Sequence, residues 1–465
     1  MLRASITFGV VLSFMILMLP AHGSHTLAAQ QPGGGGGRGA STGSGQAAGG
    51  GQTPGPIPSI ETRVSGMQKI DGYFPLYWDE RTGSLFIEIP RLDTDFLLTT
   101  GLSAGLGSND IGLDRGSGGA GRLVYFQRVG PRVLLVQPNQ SFRSSSANPL
   151  ERKSVEDSFA KSIIWGFAIA GESSGHLLVD GTDFLLRDVT NAGSALRPGN
   201  YRVDRTRSAF FLQNTRGFPK NTEIDMTLTF VNEAAGGRGG GGGPVQGPPP
   251  IGDGGGRAGG GGGGRGGGLF SGSVASVTPT ADSATLREHL SMVELPDGNY
   301  KPRYDDPRAG YGGLTYVDYS VPIGEPMQLR YIRRHRLEKQ DPNAAVSEAV
   351  KPIQYWVDSG APEDVKKALL AGAGWWSQAF EAAGFRNGFK VDVLPAGADP
   401  MDIRYNMINW VHRSTRGWSS GGSVADPRTG EIIKATVTLG SLRDRQDYLI
   451  FEGLLSPYKI GRAHV

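Results

Sequence analysis

Two glycine-rich tracts divide this sequence and limit where it can fold. Residues 33–51 contain 11 glycines and residues 236–268 contain 21, with few apolar side chains in either. Such segments bury too little apolar surface to offset the entropy of ordering the chain. We therefore predict a disordered tether over residues 30–58 and a disordered insert over residues 236–268. Ordered sequence is expected from residue 59 onward.

The first 29 residues have the pattern of a secretory signal peptide. Arg3 supplies a positive start, the 14 residues Ile6–Leu19 are mostly apolar, and Pro20 ends the run. A bilayer-spanning helix needs about 20 residues, so this run is too short to be one. The sequence predicts an exported protein that is periplasmic, envelope-associated or secreted, with an uncleaved membrane anchor as the alternative. No transmembrane segment is expected after signal cleavage.

Charge and cysteine content exclude several classes of function. The net charge is +3, which predicts no surface for nucleic acid. The chain has no cysteine, so disulfides, thiol catalysis and cysteine-bound zinc are excluded. Asn109, Asp110 and Asp114 carry oxygen ligands suited to calcium, but a loop built on Asx-turns explains the same residues and is favoured.

Residues 59–345 are predicted to form a β-rich domain, interrupted by the glycine insert. Short runs rich in β-branched and aromatic side chains alternate with turn residues. One helix is expected over Pro149–Lys161. The pentapeptide Thr94–Leu98 recurs as Thr182–Leu186, which we attribute to reuse of a strand-edge pattern rather than to a duplicated unit. The predicted strands include Ser84–Ile89, Phe210–Gln213 and Ser273–Val277.

The hydrophobic period changes in residues 346–458. Pro352–Val357 predicts a strand, and an apolar stripe predicts one long helix from Pro362 to Gly384. Further strands and a hairpin follow, which gives the order β-α-β-β-β-β. The fold class is therefore predicted as α+β, with a β-rich N-terminal domain followed by a mixed sheet that carries one long helix.

Several stretches resemble one protein family. They are Asp71–Trp78, Gly105–Gly116, Arg334–Lys339, Trp375–Phe385, His412–Ser419 and Asp426–Ile432. These stretches are similar to the large bacterial zinc-dependent metalloproteases that pair two domains of unknown function with a metzincin-like catalytic domain. The resemblance implies that residues 346–458 are the upper half of that catalytic domain. It also implies an exported zinc metallopeptidase that acts on peptide or protein substrates.

The family's zinc helix, His-Glu-x-x-His-x-x-Gly-x-x-His, does not occur in this sequence. Outside the leader and the tail the histidines are His176, His289, His335 and His412, and no two are four residues apart, as a helical zinc pair requires. Asp402 and Glu431 offer at most a weak site. We therefore expect no catalytic residue and no zinc ligand in this chain, although zinc is the cofactor that the resemblance implies for the parent protein. The chain as given is expected to be inactive.

The end of the sequence suggests why that helix is missing. Residues 459–465 read like the translation of a common sequencing adapter. We expect the natural protein to continue past Tyr458 and the final seven residues to be an artefact, with a natural basic tail as the alternative.

The resemblance also implies a substrate strand. In metzincins an antiparallel edge strand above the zinc pairs with the extended peptide. Gly421–Ala425 occupies that position, and Gly422, Ser423 and Val424 are the predicted substrate-binding residues. An ordinary hairpin strand is the alternative structure. A non-catalytic envelope protein whose β-rich domain binds a partner is the alternative function.

Overall fold

The computed structural model describes residues 56–119, 121–233, 272–417 and 419–455. The predicted signal peptide, all but the last three residues of the tether, the glycine insert and the C-terminal tail lie outside the described residues. The described residues all belong to one compact unit, Pro56–Val465.

Strands dominate the described chain. They are β1 (Gln68–Ile70), β2 (Leu76–Asp79), β3 (Ser84–Ile89), β4 (Phe96–Ala104), β5 (Arg122–Val129), β6 (Arg132–Gln137), β7 (Phe142–Arg143), β8 (Ser162–Ser173), β9 (His176–Asp180), β10 (Tyr201–Phe210), β11 (Arg216–Phe218), β12 (Asn221–Asn232), β13 (Ser283–Glu294), β14 (Gly313–Asp318), β15 (Gln328–Ile332), β16 (Ser347–Glu348), β17 (Ile353–Val357), β18 (Phe385–Arg386), β19 (Phe389–Val393), β20 (Asn406–Val411), β21 (Ser420–Ala425) and β22 (Ile432–Gly440). The α-helices are α1 (Ile60–Arg63), α2 (Pro149–Ser158), α3 (Thr182–Leu185), α4 (Glu363–Gly374), α5 (Trp376–Ala382) and α6 (Leu442–Leu455). The protein is a β-rich α+β protein, which confirms the predicted fold class.

One antiparallel sheet of 12 strands accounts for most of residues 68–294. Its order is β1-β2-β3-β9-β8-β6-β5-β4-β13-β12-β10, and β11 pairs with β12. The large hydrophobic cluster of this sheet is built around Phe74, Phe96 and Phe126, whose ring centroids lie 4.8–5.5 Å apart. Aromatic side chains in such contact bury much apolar area, so this cluster is the main source of stability in the sheet.

A separate sheet of five strands is formed by residues 353–440. Its order is β19-β17-β20-β22-β21, in which the first four strands are parallel and β21 runs antiparallel to β22 on the outside. Helix α4 packs against β17 and β19. The remaining small sheets are β15-β14-β7 and β16-β18. The predicted boundary at residue 345 falls between the two larger sheets, and the domain assignment itself stays a prediction.

The predicted long helix is divided in two. Trp375 is both the C-cap of α4 and the N-cap of α5. Gly372 and Gly374 precede this break, and glycine is a poor helix former. Gly384 has a φ of 89° and ends the helical region, as its position in the sequence predicted. No helix in the described chain combines the length and apolar character that crossing a bilayer requires.

Three predictions within the β-rich domain are wrong. The first copy of the repeated pentapeptide enters β4, but the second forms α3, where the Asp180 carboxylate accepts a hydrogen bond from the Thr182 N–H and begins a helical turn. Ser273–Val277 is a 3-10 turn in which the Ser273 hydroxyl accepts from the Ala275 N–H. Of Phe210–Gln213, only Phe210 lies in a strand. In the first two cases a local side-chain hydrogen bond outweighs the β propensity of the sequence.

Candidate functional site

The predicted peptide-binding residues lie on a free edge of the five-stranded sheet. Strand β21 pairs with β22 on one side, and no strand of the described chain pairs with its other side. Gly421 and Gly422 are exposed, and a Cβ added to Gly422 would meet no atom within 4 Å. This open space allows a second backbone to approach the edge closely.

The pairing register identifies which main-chain groups of β21 face outward. Ser423 stands opposite Ala435 of β22, and the Ala435 N–H donates to the Asn406 side chain of β20 at 2.7 Å, on the far side of β22. Residues opposite each other in an antiparallel pair either bond to one another or both face away. Ser423 therefore directs its N–H and C=O outward, as Gly421 does, whereas Gly422 and Val424 face β22.

Val424 supports the edge rather than exposing a contact surface. Its side chain is 9% exposed and belongs to a cluster with Leu97, Val293 and Ile403. The first two of these residues lie on the twelve-stranded sheet, so Val424 fixes β21 against that sheet. The main-chain groups available to a ligand are therefore those of Gly421 and Ser423, and Gly422 contributes the absence of a side chain.

A groove borders β21, and its lining includes Thr436 and Thr438 of the neighbouring strand β22. One part, of about 200 Å³, lies between β21 and a segment that we call the glycine strap, Gly116–Gly119. A second part, of about 380 Å³, continues toward the β21–β22 turn, with Arg122 and Arg333 in its lining. Ser423 lines both parts, so they are neighbouring portions of one groove.

The turn between β21 and β22 is held by residues that precede the five-stranded sheet. Arg143 donates to the carbonyl oxygens of Pro427 at 2.5 Å and Arg428 at 3.1 Å. Arg336 makes two hydrogen bonds of 2.8 Å to the Glu431 carboxylate. Charge-assisted, two-pronged arginine contacts of this kind restrict both position and orientation. The free edge is thus presented on a fixed hairpin.

The acidic loop before the strap joins the two larger sheets. Asp114 accepts hydrogen bonds of 2.8 and 2.9 Å from Arg413, and Arg115 pairs with Asp358. The Ser414 N–H donates to the Gly107 carbonyl at 2.7 Å. The Asp114 carboxylate is therefore neutralised by arginine, which argues against calcium in this loop.

A cluster of ionisable side chains is buried between β12 and β13. His289 Nδ1 lies 2.5 Å from Asp225 Oδ1, and its Nε2 lies 2.6 Å from Glu223 Oε2. All three side chains are at most 2% exposed. Burial alone lowers the pKa of His289, but hydrogen bonds to Asp225 and Glu223 and the charges of both raise it to about 10. His289 is therefore an imidazolium held between two carboxylates.

This cluster has the connectivity of a Ser-His-Asp triad without its chemistry. Ser291 Oγ lies 3.1 Å from His289 Nε2, and Asp225 bonds to the other ring nitrogen. The triad mechanism needs a neutral imidazole that accepts the serine proton. Here the imidazole is protonated, the Ser291 hydroxyl donates to Glu223, and Ser291 is 1% exposed. The arrangement stabilises the sheet and offers no accessible nucleophile.

The same cluster is where three metal-type ligands converge within the described residues. Asp225, His289 and Asp399 offer atoms within 4.8 Å of one another. Asp399 Oδ2 has no hydrogen-bond partner in the described chain, and burial raises the pKa of Asp399. Zinc requires a neutral imidazole with a free nitrogen, whereas both nitrogens of His289 face carboxylates. These residues do not fit a zinc ion.

The other histidines of the described chain lie apart from this cluster, and two of them have hydrogen-bond partners of their own. His176 Nδ1 lies 2.6 Å from Glu88, and His412 Nδ1 lies 2.8 Å from the Ser441 hydroxyl. Burial lowers the pKa of His335 to about 4, so this side chain is neutral at physiological pH. The carboxylates of Asp402 and Glu431 are also engaged, since they pair with Arg404 and Arg336.

An apolar groove of about 530 Å³ opens between the helices and the five-stranded sheet. No residue of α4 or α5 is buried, and Trp376 is 61% exposed. The sequence predicted one long helix from an apolar stripe. In the structure, side chains of that stripe border an open groove. The apolar side chains that line it include Leu369, Trp376, Phe380, Phe389, Ile408 and Leu439.

Comparison with known families identifies one segment. Residues 116–340 match the family described as a domain of unknown function, DUF5117. We call these residues the DUF5117 segment, and they include the glycine strap, Arg143 and Arg336. The match confirms that the chain carries a domain of unknown function, whereas the metalloprotease assignment stays a prediction. Searches of curated proteins and of solved structures return no match.

Proposed function

We propose that this chain is the N-terminal, substrate-binding part of an exported zinc-dependent metallopeptidase. Its free edge strand β21 would bind the peptide to be cleaved as an added antiparallel strand. The exposed edge, with two glycines and with outward main-chain groups at Gly421 and Ser423, carries the proposal. Strand addition to such an edge obtains its affinity from main-chain hydrogen bonds and therefore suits peptides of varied sequence.

The arrangement of the five-stranded sheet supports the same proposal. Its outer strand β21 is antiparallel to β22, and an antiparallel edge strand is what the family resemblance implies for the peptide site. The residues at this edge bind and orient a peptide. Zinc is assigned to the parent protein through the resemblance alone, and no residue cluster of the described chain fits it. We therefore expect these 465 residues to bind peptide without hydrolysing it.

The test measures binding of a fluorescein-labelled decapeptide, eight alanines between two lysines, to the full chain by fluorescence anisotropy. Ser423→Pro removes an outward N–H that β22 does not use and should weaken binding at least about tenfold. Ser423→Ala keeps the N–H and should bind within about twofold of the wild type. Circular dichroism and the Tm of each variant report whether the fold is retained.

Four outcomes would count against the proposal. Failure of the wild type to bind the probe, or equal binding by Ser423→Pro, would remove β21 as the peptide site. Binding that survives at another surface would instead favour the non-catalytic binding protein. Stoichiometric zinc with chelator-sensitive hydrolysis of the probe would show that the chain holds a metal site that we have not identified.

A further inference from the structure

The glycine strap is itself a strand edge. The Leu102 N–H donates to the Ser117 carbonyl at 2.8 Å, and the Gly119 N–H donates to the Thr100 carbonyl at 2.7 Å. These two bonds flank the pair Gly101 and Gly118. The main-chain N–H and C=O groups of the two glycines therefore point away from each other. Gly118 directs its N–H and C=O away from β4, and no group of the described residues bonds to either.

Two free edges thus face one groove. Gly118 lines the 200 Å³ part of the groove from one side, and Gly421 and Ser423 line it from the other. Gly118 and Gly421 are both exposed, so their outward main-chain groups are accessible, and an extended chain between the two edges could bond to both of them. One edge alone gives a peptide hydrogen bonds on only one of its two sides.

We propose that the DUF5117 segment forms the second wall of the peptide site, so that a bound peptide lies as a strand between β21 and the glycine strap. This proposal rests on the proposed function, because it assumes that a peptide occupies the edge of β21. It assigns a role to the segment of unknown function: the strap pairs with the peptide, while Arg143 and Arg336 fix the hairpin opposite.

The strap is held firmly enough to act as a wall. Besides its bonds to β4, it follows Arg115, which donates to the Trp410 carbonyl at 2.9 Å and pairs with Asp358. A Cβ on Gly116 would lie 2.2 Å from the Asn409 side chain, so the strap packs closely on β20. The position of the strap is therefore set by contacts of Gly116 and of the preceding Arg115 with the five-stranded sheet and its Asp358.

The walls also define the class of ligand. Eight of the twelve residues that line the narrow part of the groove are glycine or serine, namely Gly116, Ser117, Gly118, Gly119, Ser420, Gly421, Gly422 and Ser423, and the others are Asp114, Val424, Thr436 and Thr438. A peptide in this part must be fully extended and must carry small side chains next to Gly118. Helical segments and compact folded loops present no backbone edge of this form and are excluded as ligands.

The decisive experiment compares the alanine probe with an analogue that is N-methylated at every second alanine. A peptide bonded at one edge uses only every second N–H group. Because the alanine sequence is uniform, the analogue can shift by one residue and direct its unmethylated N–H groups to that edge. One-sided binding therefore leaves the affinity of the analogue within about twofold. Binding between two edges needs both sets, and we expect at least about a tenfold loss.

A pair of variants locates the second edge. Gly118→Leu adds a side chain in the groove, where the nearest atom to its Cβ is the Thr100 carbonyl oxygen at 3.6 Å, so the fold tolerates it. We expect this variant to bind the unmodified probe at least about tenfold more weakly. Gly310→Leu, at an exposed position with no atom within 4 Å of the added Cβ, is the control and should bind like the wild type.

The outcomes separate the two proposals. If Ser423→Pro abolishes binding but the methylated analogue and Gly118→Leu bind normally, the peptide pairs with β21 alone and this inference is overturned while the proposed function stands. If Ser423→Pro has no effect, the proposed function fails, and this inference fails with it. Loss of binding in Ser423→Pro and in Gly118→Leu, together with loss for the methylated analogue and normal binding by Gly310→Leu, supports a two-walled site.

Discussion

The twelve-stranded sheet and the five-stranded sheet bury their apolar side chains to very different extents. Phe96, Phe126 and Phe230 of the larger sheet are at most 2% exposed. In the smaller sheet, Trp375 and Trp376 of the covering helices are 72% and 61% exposed, and an apolar groove stays open beneath them. The larger sheet can therefore account for most of the stability, whereas the smaller one supplies unpaired edges and uncovered surface, which are the features that bind ligands.

The largest effect expected from this contrast comes from truncating an aromatic side chain in each region. Phe126→Ala should lower the free energy of unfolding by about 3–5 kcal/mol, because it leaves a cavity among Phe74, Phe96 and Phe167. Trp376→Ala should cost less than about 1 kcal/mol, because most of its surface is already in water. Urea denaturation of both variants measures the difference. Equal losses would show that the smaller sheet is as closed as the larger one.

A comparable loss is expected at the buried imidazolium. His289→Leu leaves Glu223 and Asp225 as unpaired carboxylates in the interior, which should cost about 3–5 kcal/mol of unfolding free energy. His176→Leu is the matched control, since His176 also pairs with a glutamate but lies at the surface. That variant should lose less than about 1 kcal/mol in the same urea titration. A small loss for His289→Leu would mean that the two carboxylates are neutral in the folded protein.

The same cluster predicts how stability depends on pH. Folding raises the pKa of His289 from 6.5 to about 10, so its contribution is complete below pH 6.5 and is lost as the pH rises toward 10. Burial lowers the pKa of Lys434 from 10.5 to about 8, and this group opposes the trend between pH 8 and 10.5. The unfolding free energy should therefore fall by up to about 2 kcal/mol between pH 6.5 and 8 and then level off.

Urea titrations at pH 6.5, 7.25 and 8 measure this slope. The His289→Leu variant lacks the titrating group, so its stability should change far less over the same interval. A stability that rises with pH in the wild type would contradict the assignment of His289 as an imidazolium.

The smallest effect is expected for the glycine insert between β12 and β13. Deleting residues 236–268 shortens the connection and removes few apolar side chains, so the free energy of unfolding should change by less than about 1 kcal/mol. Thermal unfolding of the deletion variant checks this. A loss as large as that of Phe126→Ala would show that the insert contributes to the core.

How far the sequence predicts the fold depends on whether local or distant contacts decide each element. A strand with a clear run of β-branched and aromatic residues, such as β3 (Ser84–Ile89), has the bounds that the sequence predicted. The pentapeptide Thr-Asp-Phe-Leu-Leu enters a strand in one copy and starts a helix in the other, so its own composition does not decide the structure. In the first copy β13 and β5 pair with it, and in the second the Asp180 carboxylate starts a turn.

The candidate peptide site and the buried cluster could also be predicted only in part from the sequence. The edge strand β21 could be predicted because the family resemblance gave its position, and its glycines leave room for another backbone. The strap opposite it could not, because its role depends on a pairing with β4 that no local pattern shows. The buried cluster left one signal, the alternation of Glu223 with Asp225 and of His289 with Ser291 inside apolar strands. That alternation indicates that each strand has one polar face. It does not show that the polar faces of β12 and β13 lie side by side.

The position of β4 has a practical consequence for preparing a soluble fragment. The family match begins at residue 116, but β4, which joins β5 to β13 in the middle of the large sheet, ends at Ala104. A fragment cut to the matched residues would lose β1–β4 and would expose the edges of both neighbours, including Leu290 and Met292. Long, apolar, unpaired edges lead to pairing between molecules and to aggregation. The smallest fragment that expresses well should therefore begin near Ile60, so that it includes β1–β4, which precede the recognised domain.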